Sequence, residues 1–130
     1  DLFLDTLPCN AHTTASDALW TGLPVLTCYG ATFPGRVAAS LLKALNLPEL
    51  VTYSLQEYRL KAIELANDRA SLLHVRDRLI EQRKTAPLFD AKLYARHFEK
   101  LIAKAYDNYL DGRAYDAIDT SINDLTAVCF

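Results

Sequence analysis

The sequence lacks the features that mark several common classes of protein. It contains no methionine among its 130 residues, and no apolar run approaches the roughly 20 residues that a membrane-spanning helix requires. Its three cysteines, Cys9, Cys28 and Cys129, are an odd number without CxxC spacing, which fits neither a disulfide framework nor a zinc site. The net charge of −2 gives no electrostatic reason to expect nucleic acid or a membrane as a partner. We therefore expect a cytoplasmic protein with free thiols.

The residues that are present suit one globular domain. Apolar residues make up 51% of the chain, enough for a sizeable core, and the 23% of charged residues is close to the average for soluble proteins. The chain opens without an initiator methionine and directly in strand-like sequence at residues 2–4. We therefore expect it to be part of a longer polypeptide.

The first 53 residues carry the pattern of a βαβ unit with a short extension. Apolar residues 2–4 are typical of a buried parallel strand, and residues 24–27 of the next strand. The intervening helix is predicted from Thr13 to about Trp20, ended by Gly22. After a loop at 29–35, a second helix is predicted at 36–45 and a short edge strand at 51–53. The fold class predicted for this part is α/β.

The rest of the chain is predicted to be helical over residues 54–112. Ser54 and Glu57 have the spacing of a capping box, while Asp68 and Asp90 can cap two further helices, the last ending at Gly112. Residues 113–130 have no firm period, and we expect a poorly ordered tail there. The predicted organisation is thus one domain over 1–112, with about three helices after the α/β part, and a tail.

The most informative segment is the turn from His12 to Asp17. It leads from the first strand into a helix whose first amides, with the hydroxyls of Thr13 and Thr14, suit an anion. Asp17 lies one helical turn further on and can accept hydrogen bonds from ribose hydroxyls. Each residue also has an ordinary interpretation: the threonines as a helix cap, Asp17 as a complement to the helix dipole, and His12 as a loop histidine. The residues alone predict an anion site and no particular reaction.

This turn is part of a longer sequence motif that resembles a known protein family. Residues 12–24 read His-Thr-Thr-x-x-Asp-x-Leu-Trp-x-Gly-x-Pro. With residues 8–27 as a whole, this string closely resembles the C-terminal catalytic lobe of the O-linked N-acetylglucosamine transferases, in particular their bacterial members, which share a family with the plant SPINDLY proteins. The resemblance continues at residues 36–40, 47–51 and 87–90, and covers about residues 1–109.

The resemblance implies a GT-B architecture, in which two Rossmann-like halves hold a sugar nucleotide in the cleft between them. This chain would form the C-terminal part of the nucleotide-binding lobe. Thr13 and Thr14 would contact the diphosphate of UDP, with His12 beside them, and Asp17 would contact the ribose. The implied reaction transfers N-acetylglucosamine from UDP-GlcNAc to serine or threonine hydroxyls of proteins with inversion, without metal or cofactor.

The same resemblance places several parts of the machinery outside this chain. The family's catalytic histidine, its pyrophosphate-binding lysine and its uracil contacts lie upstream of the matching region, as do the tetratricopeptide repeats that select protein acceptors. We therefore expect no catalytic residue here and no activity from the isolated chain, which could self-associate through uncovered surfaces. Ala31 stands where many relatives have an acid. Two alternatives are a GDP-fucose-dependent member of the family and a non-catalytic helical interaction or dimerisation module.

Overall fold

The computed structural model describes residues 1–113, which divide into two compact units at the boundary between Phe89 and Asp90. The elements of the first unit are β1 (Phe3–Leu4), α1 (Thr13–Thr21), β2 (Val25–Cys28), α2 (Val37–Ala44), β3 (Val51–Thr52), α3 (Leu55–Asn67) and α4 (Arg69–Gln82). Single 3₁₀ turns form at Phe33–Gly35, Pro48–Leu50 and Pro87–Phe89. The second unit contains α5 (Ala91–Leu110).

A parallel three-stranded sheet, in the order β1-β2-β3, forms the centre of the first unit. Phe3 pairs with Val25, and Thr27 pairs with Val51. The predicted α/β class is thus confirmed. The central strand β2 is buried along its length, whereas β1 is an edge strand among the described residues and leaves 54% of Leu4 exposed. The expectation that the first strand is buried is therefore wrong for Leu4.

The core lies between this sheet and the helices packed on it. Its largest fully buried side chains come from α1, β2, α2, α4 and the segments between them, and they include Leu19, Leu26, Leu42, Leu45, Leu47, Leu50 and Leu79. α1 ends at Gly22, whose φ of 85° is the left-handed conformation that favours glycine at a helix C-terminus. A β-carbon at Gly22 would also lie 3.0 Å from the Ile80 side chain. The predicted end of α1 is confirmed.

The helix starts predicted for the second half of the chain are also confirmed. The Ser54 hydroxyl accepts a hydrogen bond from the Glu57 amide at 3.1 Å. The Glu57 carboxylate accepts one from the amide of Tyr53, the residue before the cap, at 2.8 Å. Asp68 and Asp90 cap α4 and α5 in the same way, through the amides three residues downstream.

The second unit is described by α5 and the residues at its two ends. The helix ends at Leu110, and Gly112 follows with a φ of 64°. Apart from Arg113, the tail predicted at 113–130 lies outside the described residues, and the assignment of residues 1–112 to one domain stays a prediction. Over residues 1–113, no helix is both long enough and apolar enough to cross a membrane.

Candidate functional site

The four residues singled out from the sequence lie together at the start of α1. His12 is the residue before the first helical one, Thr13 and Thr14 form the first turn, and Asp17 follows one turn later on the same side. All four are exposed. The first bond of the helix runs from the Ser16 amide to the His12 carbonyl at 3.1 Å.

The first turn of α1 has hydrogen-bonding groups to spare. The amides of Thr13 and Thr14 donate to no atom of residues 1–113, and neither do their hydroxyls. The first turn contains no acidic residue, and the His12 side chain makes no capping bond. Free amides at the positive end of a helix attract anions, so this turn can hold phosphate oxygens.

An aromatic side chain, Phe33, packs against His12 at this turn. The His12 ring lies edge-on to the Phe33 ring, with 6.3 Å between the ring centroids. Phe33 belongs to the loop after β2 and is 78% exposed. The His12 imidazole therefore packs edge-on against an exposed aromatic ring.

The loop that leads from β1 to α1 is organised around Asp5, whose residue surface is only 5% exposed. Its Oδ1 accepts hydrogen bonds from the Thr6 amide at 2.8 Å and the Ala11 amide at 2.7 Å. Its Oδ2 accepts one from the Thr27 hydroxyl at 2.6 Å, and its backbone carbonyl accepts one from the Tyr58 hydroxyl at 2.9 Å. The loop, β2 and α3 thus converge on one residue.

A second loop, after β2, packs against the first. The Gly30 amide donates to the Gly35 carbonyl at 2.7 Å, and the Asn10 amide donates to the Pro34 carbonyl at 2.9 Å. The Arg36 guanidinium donates to the Gly30 carbonyl at 3.1 Å and also to the Ala31 carbonyl. Arg36 therefore closes this loop, whereas the sequence predicted it as the first residue of the next helix. Both loops follow the carboxyl ends of parallel strands, where ligands of α/β sheets bind.

Sequence reasoning overlooked Asp5 and Tyr58. The available signal was an acid directly after a strand, a position where a side chain lies at the ligand-binding edge of a parallel sheet. Burial, followed by the charge of Asp5, raises the pKa of the Tyr58 phenol. Because the phenol stays protonated, it remains a donor to the Asp5 carbonyl across the neutral pH range.

The other kinds of site to consider among the described residues are reactive thiols and groups of side chains that could hold a metal ion. Cys9 is exposed and Cys28 is buried, and both are free thiols; Cys129 lies outside the described range. Within residues 1–113, no group of three histidine, cysteine, aspartate or glutamate side chains could hold a metal ion. The start of α1 and the two loops beside it are thus the candidate site.

Comparison with known proteins assigns the segment that carries this candidate site to a protein family. Residues 1–98 match the model of glycosyl transferase family 41. The chain belongs to this family. The match includes β1, α1 and both loops of the candidate site, so the predicted resemblance is confirmed for the part of the chain that carries the site.

Individual relatives agree with the family model. A UDP-N-acetylglucosamine–peptide N-acetylglucosaminyltransferase of Caenorhabditis elegans is 40% identical over 118 residues, covering 91% of this chain and 10% of the relative. A probable enzyme of the same name from Arabidopsis thaliana is 35% identical, covering 96% of this chain and 13% of the relative. The chain thus spans about a tenth of the length of these curated relatives.

A solved structure gives the same assignment. A mutant of Thermobaculum terrenum O-GlcNAc transferase superposes with a TM-score of 0.64 and 37% sequence identity, covering 69% of this chain and 17% of the other. The α/β fold of the family 41 chain therefore matches part of that transferase, in agreement with the predicted GT-B lobe.

Proposed function

We propose that this family 41 chain binds the sugar-nucleotide donor in a protein O-glycosyltransferase that transfers N-acetylglucosamine from UDP-GlcNAc to serine or threonine hydroxyls. The observation that carries the proposal is the uncapped start of α1, where the amides and hydroxyls of Thr13 and Thr14 are without partners among the described residues. The names of the C. elegans and Arabidopsis relatives, which specify UDP-N-acetylglucosamine and a peptide acceptor, support the choice of ligand.

Each residue of the turn has a role that follows from its position. Thr13 and Thr14 donate hydrogen bonds to the diphosphate, and the positive end of α1 stabilises its charge. His12, beside the same turn, donates to a phosphate oxygen. The exposed carboxylate of Asp17, which accepts no hydrogen bond from residues 1–113, accepts hydrogen bonds from the ribose hydroxyls.

The turn also contributes to the reaction without taking part in covalent chemistry. Amides aimed at the diphosphate stabilise the negative charge that develops on UDP as it leaves, which is the task of a metal ion in metal-dependent transferases. We assign no catalytic base to this chain. In this proposal the chain is one part of a longer cytoplasmic protein whose other parts select the protein acceptor and complete the cleft; the isolated chain has no transferase activity and can self-associate.

The first test is calorimetric titration of the full-length protein with UDP, UDP-GlcNAc and GDP-fucose. The proposal predicts binding of both uridine nucleotides and weaker or no binding of GDP-fucose. Preference for GDP-fucose would assign the protein to the fucose-transferring alternative. Absence of binding by all three nucleotides would contradict the proposal and favour an interaction module.

A matched pair of variants tests the role of Asp17. Asp17→Asn removes the carboxylate from the turn, whereas Asp77→Asn makes the same change on the exposed surface of α4. Hydrogen bonds to charged groups contribute about 1.5–3 kcal/mol, so Asp17→Asn should weaken UDP binding about tenfold or more. Equal affinities of the two variants for UDP would remove Asp17 from the site.

A further inference from the structure

The carboxylate of Asp5 is unusual because it is buried without a counter-charge. Its residue surface is 5% exposed, and among residues 1–113 no lysine, arginine or histidine forms an ion pair with it. Burial of a charge is costly unless hydrogen bonds compensate for it. Three donors, two amides and one hydroxyl, supply that compensation at 2.6–2.8 Å.

The two amides belong to opposite ends of the same loop. Oδ1 accepts from Thr6, the first residue after the carboxylate, and from Ala11, the residue directly before His12. One oxygen atom therefore fixes both ends of the loop 6–11. Since the next residues are His12 and Thr13, the bond to Ala11 also determines where the first turn of α1 begins.

The carboxylate itself is held from the opposite side. The Thr27 hydroxyl of β2 donates to Oδ2 at 2.6 Å, and the Tyr58 hydroxyl of α3 donates to the Asp5 carbonyl at 2.9 Å. Asp5 thus connects the start of α1 to two other elements of the first unit. The later part of α1 has a separate anchor, because Ala15, Ala18 and Leu19 are buried in the core.

We propose that Asp5 is the positioning residue for the diphosphate subsite: its carboxylate holds Ala11 so that the amides and hydroxyls at the start of α1 meet the phosphates. The proposal rests on the proposed function. Asp5 acts through the loop and does not touch the ligand, since a buried negative charge would repel a diphosphate. The subsite depends on the shape of the Asp5 side chain and on its capacity to accept hydrogen bonds, and not on its charge.

Substitution of Asp5 by asparagine keeps the shape of the side chain and removes its negative charge, so it separates the contributions of the two to UDP binding. In Asp5→Asn the amide oxygen can keep both loop bonds, and the amide nitrogen can donate to the Thr27 hydroxyl, which is able to accept as well as donate. Asp5→Ala removes all three bonds. Asp5→Ser keeps a polar group but is too short to reach both amides, so it serves as a second disruptive variant where the alanine variant does not fold.

The experiment compares UDP with uridine in the full-length protein by calorimetry. Because the phosphates make the contacts that depend on Ala11, Asp5→Ala or Asp5→Ser should bind UDP roughly 10- to 100-fold more weakly. Uridine binding should change by less than about threefold, because the buried face of α1 keeps Asp17 in place. Asp5→Asn should bind both ligands within about threefold of the parent protein.

Thr52→Val provides the matched control. The Thr52 hydroxyl is buried and donates to the Thr27 carbonyl at 2.9 Å, so this variant loses a hydrogen bond in the same sheet without touching the loop. It should leave the ratio of UDP to uridine affinity unchanged.

Several outcomes would overturn the proposal. One is an equal loss of affinity for UDP and for uridine in the disruptive variants, which would indicate general damage to the fold. Others are unchanged UDP binding in a folded Asp5→Ala or Asp5→Ser variant, loss of UDP binding in a folded Asp5→Asn variant, and loss of folding in both disruptive variants. Failure of the parent protein to bind UDP would instead refute the proposed function.

Discussion

The first turn of a helix has amides without partners inside the helix, and the starts of α1 and α3 differ in whether a side chain caps these amides. At α3, the Ser54 hydroxyl bonds the Glu57 amide, and the Glu57 carboxylate bonds the amide of Tyr53. At α1, no side chain caps the helix, and the amides of Thr13 and Thr14 have no partner among the described residues. The start of α3 is covered by its own side-chain cap at the Glu57 amide, whereas no side chain of residues 1–113 caps the first turn of α1.

The difference shows where each helix obtains its stability. In α3 only Leu65 of 13 residues is buried, and the start of this helix is fixed by the capping box together with the hydrogen bond from the Tyr58 hydroxyl to the Asp5 carbonyl. In α1, three of nine residues are buried, namely Ala15, Ala18 and Leu19, and Asp5 holds the loop before it. Packing and the loop can therefore keep α1 in place while its first amides stay available to the proposed ligand.

The largest expected effect comes from removing the packing that supports α1. Leu19 is fully buried, and a leucine-to-alanine change at such a site costs about 3–5 kcal/mol. We expect Leu19→Ala to lower the free energy of unfolding by this amount in urea denaturation. Leu73→Ala on α4, where the side chain is 43% exposed, is the control and should cost less than 1 kcal/mol. Similar costs at the two positions would contradict the claim that packing anchors α1.

Removal of the cap of α3 should have an intermediate effect on stability and none on binding. Loss of a serine N-cap costs about 1 kcal/mol, so Ser54→Ala should lower the free energy of unfolding by about that amount. UDP affinity measured by calorimetry should stay within twofold of the parent protein, because Ser54 belongs to the helical part of the unit and not to the loops of the site. A loss of UDP affinity in this variant would contradict the claim that the start of α1, and not the start of α3, takes part in UDP binding.

Much of this contrast could be predicted from the sequence, because caps and helix ends are local. Ser54, Asp68 and Gly22 act through residues within about one turn of themselves, so spacing alone predicts all three. Spacing does not predict the role of Asp5, because one of its partners is Thr27, 22 positions away on another strand. Nor does it predict the role of Arg36, since its bonds to the Gly30 loop depend on how that loop folds back.

The smallest expected effect is a pH dependence at the cap of α4. Hydrogen bonds from the Ser71 amide and hydroxyl lower the pKa of Asp68. The folded state therefore binds this proton more weakly than the unfolded state, so the cap stabilises the protein above about pH 4 and the contribution is lost as the pH falls through the lowered pKa.

Asp68→Asn keeps a capping oxygen and removes the titration. Thermal denaturation between pH 2 and pH 7 should show a slightly shallower acid decline for this variant than for the parent protein. An identical decline in the two proteins would mean that Asp68 gives no pH-dependent support to α4.

The most direct test of the central claim is UDP titration of the Thr13→Ala/Thr14→Ala double variant against Thr21→Ala. Thr21 lies at the other end of the same helix, where its hydroxyl donates to the Ala18 carbonyl, so the control removes a threonine from α1 without touching the turn. Hydrogen bonds to a charged ligand contribute about 1.5–3 kcal/mol, and the double variant should therefore bind UDP roughly 10- to 100-fold more weakly. Equal UDP affinities for the double variant and Thr21→Ala, with both proteins folded, would contradict the assignment of the α1 start as the diphosphate site.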